Sequence, residues 1–360
     1  AAYDPVLERE VGRLTAAGIP VLAVAGNHDC LVLPRLVELV PDVHLVGAGG
    51  TWERVELAGP GPAVDLIGWS FPTSHVHACP LDQGGFEAAL AGARPGALGL
   101  GVLHGDLDAT GSPYGPVPRR RLEAAGLDGW FLGHVHAPAD LTVRPPLGYL
   151  GSLVGLKPTE TGPRGAWRVT PGTGGVTARQ LHLGPIRWES LTVTLDGSPD
   201  PYAVRAALEA ALARRFGGDG TLADHDLVVA RVELAGELED RAGVATFLAD
   251  HADEQLTFDV GGLTVAVQRV TDATRQPVDL EALAQEPTPV GRLAGHLLDL
   301  RAGRAGELLE RTAATTARVD AGGWDLDPED HPLPAPEDLL ERAAWRVLDA
   351  LLAQREEATP

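Results

Sequence analysis

Three clusters in the first half of this 360-residue chain carry side chains suited to holding a cation. They are Gly26-Asn27-His28-Asp29, Leu103-His104-Gly105-Asp106 and Gly133-His134-Val135-His136, and each follows an apolar run. Imidazole nitrogens combined with amide or carboxylate oxygens suit divalent transition metals such as Mn, Fe or Zn. A single histidine after a strand is most simply a capped or solvated residue, but here the pattern recurs three times with glycine in every cluster. Glycine permits the sharp turn and close backbone approach that ligand loops need. The spacing therefore predicts one shared metal site.

A shared site needs elements that deliver all three clusters to one edge. Residues 19–25 (IPVLAVA), 64–69 (VDLIGW), 98–103 (LGLGVL) and 129–132 (GWFL) are continuous apolar runs, as in strands buried on both faces. Strand-like pieces follow around 147–150 and 166–170, and helical patterns occupy 5–17, 86–93 and 118–125. This alternation predicts an α/β domain whose ligand loops sit at the carboxyl ends of its strands. In the first helix Val6, Leu7, Val11 and Leu14 form one apolar face, Gly18 stops it at C′, and Asp4 reads as an N-cap. A hairpin or loop at 170–175 leads to a strand at 176–183. Beyond Pro185 the expected order is a strand at 187–195, a helix at 201–215, a strand at 227–234, a helix at 242–251 and a strand at 263–270, a small separate α/β module. After Glu286 the chain reads as helical, with a Pro/Asp-rich break at 322–336 and a last helix at 336–355. The expected domains are thus 1–184, 185–285 and 286–360.

Composition narrows the setting. Two cysteines, Cys30 and Cys79, cannot build a multi-bridge secreted scaffold, which points to a reducing, cytoplasmic compartment. No run of 18 or more apolar residues is present, so the chain is not expected to span a membrane. A net charge of −21 argues against nucleic-acid binding by bulk electrostatics. The charge is uneven, however: −4 falls in residues 1–184 and −17 in residues 185–360. Bound divalent cations would make the active face far less negative than the formal count.

The three clusters resemble the last three motifs of the calcineurin-like metallophosphoesterases. Within that superfamily the chain is similar to the Mre11/SbcD nuclease group, particularly the bacterial YhaO-like DNA repair exonucleases. Residues 18–30 (GIPVLAVAGNHDC), 68–76 (GWSFPTSHV), 127–136 (LDGWFLGHVH), 151–165 (GSLVGLKPTETGPRG) and Arg187-Trp188-Glu189 carry the resemblance. It covers residues 5–195 well and the remainder loosely. It implies an α/β sandwich with a small α/β capping module and a helical C-terminal tail. It also implies metal-dependent hydrolysis of DNA phosphodiester bonds with two divalent metal ions, manganese being the expectation. Asn27, His104 and His134 would bind one metal and His136 the other. His28, paired with Asp29, would protonate the leaving oxygen or steady the pentavalent phosphorus. The implied partners are DNA and an SMC-like coiled-coil ATPase docked on the C-terminal helices, with a homodimer among the assemblies allowed. Leu297, Leu298, Leu300, Leu308 and Leu309, and later Leu339, Leu340, Val347, Leu351 and Leu352, have helical spacing; they read first as intramolecular core and second as that docking face.

The sequence departs from the family in one respect. The full pattern begins with Asp-x-His and then Gly-Asp-x-x-Asp, and the 25 residues ahead of Gly26 contain neither. The chain also contains no methionine. Both facts are expected to share one cause, a missing N-terminal segment that carries the first strands, and the polypeptide is then expected to be inactive or nearly so. Two other functions stand beside the nuclease: a phosphatase or nucleotide phosphodiesterase of the same superfamily, and a non-catalytic scaffold for the ATPase. His75 and His77 read first as solvated loop residues and second as substrate contacts. Asp106 and Asp108 read first as solvated acids and second as partners of the histidines. Arg119-Arg120-Arg121 reads as a solvated face before a phosphate contact. Lys157 and Arg164 are candidates for backbone contact in the loop after the last cluster. Cys30 has no evident partner, and His225 and His251 read as surface residues.

Overall fold

The computed structural model describes residues 5–320 and 334–357, with Pro41, Pro60 and Asp224 excepted. Asp4 and most of the break expected at 322–336 lie outside the described residues. The chain divides into two compact units, Ala1–Val154 with Arg164–Gly184, and Gly155–Pro163 with Pro185–Pro360. The α/β class expected from the sequence is the class of the structure.

The first unit runs α1 (Pro5–Ala16), β1 (Val21–Ala23), α2 (Leu33–Leu39), β2 (Val43–Leu45), β3 (Glu53–Leu57), β4 (Val64–Trp69), α3 (Phe86–Ala91), β5 (Leu98–His104), α4 (Arg119–Ala124), β6 (Gly129–Gly133), β7 (Leu147–Tyr149), β8 (Ala166–Gly172) and β9 (Gly175–Leu181). Its main sheet has the order β3-β4-β5-β6-β7. Strands β4 to β7 are parallel, and β3 runs antiparallel at one edge. Continuous apolar runs predict strands covered on both faces; β4 and β6 meet this, whereas along β5 burial alternates, with Leu103 fully enclosed and Leu100 and Val102 half-buried. Trp52 centres an aromatic cluster, its ring 4.8 Å from Phe86, 6.2 Å from Trp130 and 6.5 Å from Trp69. Gly101 makes room for this cluster: a Cβ there would stand 2.1 Å from the Trp130 ring.

Two N-terminal expectations need correction. The run at 19–25 yields only the three-residue β1, half-buried along its length. Among the described residues β1 pairs with β2 alone, in a separate two-stranded sheet, so it lacks the two covered faces that its composition implied. The apolar face of α1 is likewise mostly uncovered: Val11 is buried, whereas Val6, Leu7 and Leu14 are exposed. Gly18 does end the helix in the left-handed region, at φ 74°.

The second unit contains β10 (Ile186–Thr194), α5 (Pro201–Phe216), β11 (Leu227–Glu237), α6 (Ala242–Asp250), β12 (Leu256–Val260), β13 (Leu263–Arg275), α7 (Leu280–Leu283), α8 (Pro289–Arg301), α9 (Gly306–Asp320) and α10 (Pro336–Glu357). Its sheet has the order β10-β11-β13-β12, parallel except for β12. Leu208, Leu212 and Phe247 from the helices pack on Val228, Leu234 and Val265 of the strands. Asp200 caps α5, its carboxylate accepting the Ala203 N–H. Segment 155–163 is stitched to β10: Trp188 Nε1 donates to Gly155 O at 3.1 Å, and Gly162 N donates to Trp188 O at 3.0 Å. The C-terminal helices pack around Leu297, Trp345 and Leu348, and the Arg275 guanidinium lies 4.3 Å from the centre of the Trp345 ring. No helix among the described residues is long and apolar enough to cross a membrane.

One polar pair is buried within the main sheet. Asp65 of β4 is fully enclosed and accepts the backbone N–H of Arg94 at 2.8 Å and its guanidinium Nε at 2.7 Å. Burial alone would raise the carboxyl pKa, but the Arg94 N–H and guanidinium, with Arg54, hold it below the ordinary 3.8. Above that pH the unfolded chain also carries the charge, so the full stabilisation is present; it is lost as pH falls through the depressed folded value. Asp65→Asn is expected to lower stability by about 1–3 kcal/mol near pH 7. Urea denaturation should show the gap between variant and wild type closing below pH 3.8.

Candidate metal centre

Strands β5 and β6 lie side by side in parallel register, with His104 opposite Gly133. His104 is the last residue of β5 and His134 the first beyond β6, so the two imidazoles meet with ring centroids 5.1 Å apart. Phe71, just past β4, packs edge-on against His104 at 5.1 Å. Gly26 closes the other side. A Cβ at Gly26 would fall 2.4 Å from His104 Nδ1, so any side chain there would displace the imidazole.

The Gly26 loop arrives from outside the main sheet, and Ser70 ties it there. The Ser70 hydroxyl accepts the Ala25 N–H at 2.9 Å and donates to Val46 O at 2.6 Å. Phe71 N donates to Ala25 O at 3.0 Å, and Ser70 N to Gly47 O at 3.1 Å. These bonds fix the chain beyond β1 and β2 to the end of β4. Within the turn, Asp29 Oδ1 accepts the Gly26 N–H at 2.6 Å and Cys30 N donates to Gly26 O at 3.0 Å. Cys30 does have a partner, since its thiol donates to Asn27 O at 3.7 Å. Burial, followed by the nearby Asp29 charge, raises the Cys30 pKa and keeps the thiol protonated. The turn presents Asn27 Oδ1 2.9 Å from His104 Nε2.

The surroundings of His104 fix its charge state. Burial first, and then the influence of His134, His28 and His136, lower the His104 pKa from 6.5 to about 3. Its imidazole is therefore neutral, the form that ligates a metal. His28 and His136 are exposed. The Asp29 carboxylate is engaged with the backbone, and among the described residues no hydrogen bond joins it to His28. The His136 carbonyl is held by Ser152 N at 2.9 Å and by the Arg164 guanidinium. Arg164, which is buried, also donates to Ser152 Oγ at 2.9 Å. It thus makes the backbone contact considered for it.

The remaining candidates separate clearly. Asp106 is no solvated acid: its Oδ1 lies 3.3 Å from His134 Nε2. Asp108 is exposed and accepts the Arg119 N–H at 2.8 Å. His75 and His77 are exposed, but His75 stacks on Tyr114 at 5.8 Å, and the Tyr114 ring lies 5.0 Å from His134. Of the three arginines, Arg120 is exposed and Arg121 pairs with Asp82 at 2.8 Å. Lys157 lies in the second unit, where its carbonyl accepts Glu160 N at 3.0 Å. His225, expected on the surface, is buried, and its N–H donates to Leu222 O at 3.0 Å. His251 is half-buried against Phe247 at the end of α6. Sequence reasoning missed Ser70 and Tyr114, whose roles lie in contacts across the chain.

The donor set can be judged against a cation. Two donors at about 2.1 Å from one ion and at right angles stand about 3 Å apart, and Asn27 Oδ1 and His104 Nε2 stand at 2.9 Å. The Asn27–His104 spacing thus suits one divalent cation, and His134 lies beside the pair. Among the described residues no group of three or more His, Cys, Asp or Glu forms a ready cage. Ser70→Ala is expected to cost about 1–3 kcal/mol, because it orphans the buried Ala25 N–H and Val46 O. Hydrogen exchange should quicken at Ala25 and across the Gly26 turn while the β5–β6 amides stay protected.

No family model matches the chain. Over 207 residues it is 25% identical to YhaO, an uncharacterized metallophosphoesterase of Bacillus subtilis (strain 168). The match covers 56% of this chain and 49% of that protein, so the chain spans about half the length of the curated relative. The protein to which this chain is similar is therefore a metallophosphoesterase, the class that its three clusters resemble.

Proposed function

We propose that this chain belongs to a metal-dependent phosphodiesterase that acts on DNA as a repair exonuclease. The observation that carries this reading is the convergence of His104 and His134 from adjacent parallel strands, with Asn27 Oδ1 2.9 Å from His104. Asn27, His104 and His134 would hold one divalent cation, manganese by resemblance, and His136 would face a second. Such ions supply charge stabilisation of a phosphoryl group and make water nucleophilic at neutral pH. The chain's own residues do the positioning. Arg164 and Ser152 fix the His136 backbone, and His28 stands exposed beside the cluster, where an imidazole can pass a proton to a leaving oxygen. The exposed His75 stacks on the half-buried Tyr114 next to His134, an aromatic surface of the kind on which nucleobases stack. It favours a nucleic acid over a small phosphomonoester.

The same reading places the upstream Asp-x-His and Gly-Asp-x-x-Asp motifs on a further segment of the working enzyme. Two features support this. The α1 face bearing Val6, Leu7 and Leu14 is exposed, and β1 is only half-buried; both suit cover by additional elements. The 360 residues alone would then have low activity. In the second unit, Leu293, Leu300, Leu308, Leu340 and Val347 line an apolar cavity of about 260 Å³ among α8, α9 and α10. A groove of this kind takes the apolar stripe of a helix and supports docking of a coiled-coil ATPase, in a reducing, cytoplasmic setting.

The test is manganese-dependent cleavage of linear duplex DNA, compared with a small phosphodiester and a phosphomonoester. The chain alone should turn over slowly, and appending a segment with the two upstream motifs should raise the rate about 100-fold or more. In the extended protein, His104→Ala and His134→Ala should each lower the rate at least about 100-fold, beyond what loss of an outer-shell partner gives. A rate confined to the phosphomonoester would establish the phosphatase. No turnover in the extended protein would establish the scaffold.

A further inference from the structure

We propose that Asp106, set in place by Ser112, is the positioning residue that orients the His134 imidazole and supplies its negative counter-charge. The proposal rests on the reading that this cluster holds a divalent cation. The geometry points to it from three sides. First, Asp106 Oδ1 lies 3.3 Å from His134 Nε2, and both side chains are largely enclosed, at 19% and 9% exposure. Second, the carboxylate has no freedom to turn away: the Ser112 hydroxyl donates to Oδ2, which leaves Oδ1 to the histidine. Its backbone is pinned as well. Asp106 N donates to Tyr114 O at 2.9 Å and Gly115 O at 3.2 Å, while Asp106 O accepts the Val117 N–H at 2.8 Å. On the next residue, Leu107 N donates to Tyr149 Oη at 2.7 Å.

Third, His134 itself sits at φ 107°, where a residue with a side chain is strained. A conformation of that kind persists only where the surroundings over-determine it, and it is concentrated at functional sites. The strained backbone and the anchored carboxylate together fix both ends of the His134 side chain. A carboxylate on one ring nitrogen selects the tautomer with the proton on that nitrogen and raises the basicity of the other. Here the proton belongs on Nε2, facing Asp106. Asn27 and the histidines bring no anionic donor, so Asp106 adds the negative charge.

The full chain can be tested metal-free and with manganese(II) alone. Long-range proton–nitrogen NMR of the histidine rings reads the tautomer, and electron paramagnetic resonance reads free against bound manganese. In the metal-free wild type His134 should be the Nε2–H tautomer, and Asp106→Asn should lose that preference. Manganese affinity should fall 10–100-fold in Asp106→Asn, recover in part in Asp106→Glu, and fall less in Ser112→Ala, with circular dichroism confirming that each variant is folded. An Nδ1–H tautomer in the wild type would overturn the proposal, as would a folded Asp106→Asn that binds manganese like the wild type. If the wild type takes up no manganese while the tautomer still depends on Asp106, the metal reading fails and the positioning role of Asp106 stands.

Discussion

The pairing of β5 with β6 governs everything else at the candidate centre. Because His104 ends one strand and His134 follows its neighbour, the parallel register, and not the loops, sets the distance between the imidazoles. A slip of one residue would turn His104 to the opposite face of the sheet. The register is held where it matters: Leu103 and Leu132 are fully enclosed one residue before the edge, and Gly101 admits the Trp130 ring from the adjacent strand. The same burial decides the protonation state. A charged His104 would be desolvated and would face three other histidines, so the ring stays neutral. Rigidity of the scaffold and readiness of the donor thus share one cause.

How legible this was in the sequence depends on the range of the interaction. The runs that became β4, β5 and β6 could be read almost residue for residue from their consecutive apolar positions, although β4 and β6 are buried along nearly their whole length and burial along β5 alternates. The run at 19–25 has the same composition and gives only the short, half-buried β1. Composition records what a segment could bury, and only the neighbours decide what it does bury. Five short elements, α2, β2, β3, β12 and α7, escaped notice; β3, for one, has three charged residues among its five and lies at the edge of its sheet. At the centre, the histidines were visible as residue types beside glycine. Ser70 was not, because its hydroxyl joins Ala25 and Val46, 45 and 24 positions away. Asp106 stood in plain view two residues past His104 and was still misread, because its partner His134 lies on the next strand.

The second unit illustrates a different limit. Its charge of −17 suggested a surface that repels phosphates, yet part of that acidity faces inward. Glu189 is buried on β10 and binds both Arg187, likewise buried, and Arg215, which reaches it from α5 at 3.1 Å. Arg187 also donates to Thr221 at 2.7 Å. Removing one member of such a set leaves an uncompensated charge in the interior, which is far more damaging than losing an exposed pair. Formal charge therefore overstates what the surface of this unit presents, and whole-chain sums are a poor guide to which polyanion it tolerates.

The same reasoning applies at the candidate centre, where the position of each carboxylate matters more than the number of acids. Two carboxylates lie close to the histidines. That of Asp29 accepts the Gly26 N–H and shapes the turn that presents Asn27. That of Asp106 is held by Ser112 against His134. One is engaged with the backbone and the other with an imidazole, so neither is free to act as a mobile counter-ion. In the proposed centre Asp29 would serve to present Asn27, and Asp106 would bring negative charge beside His134.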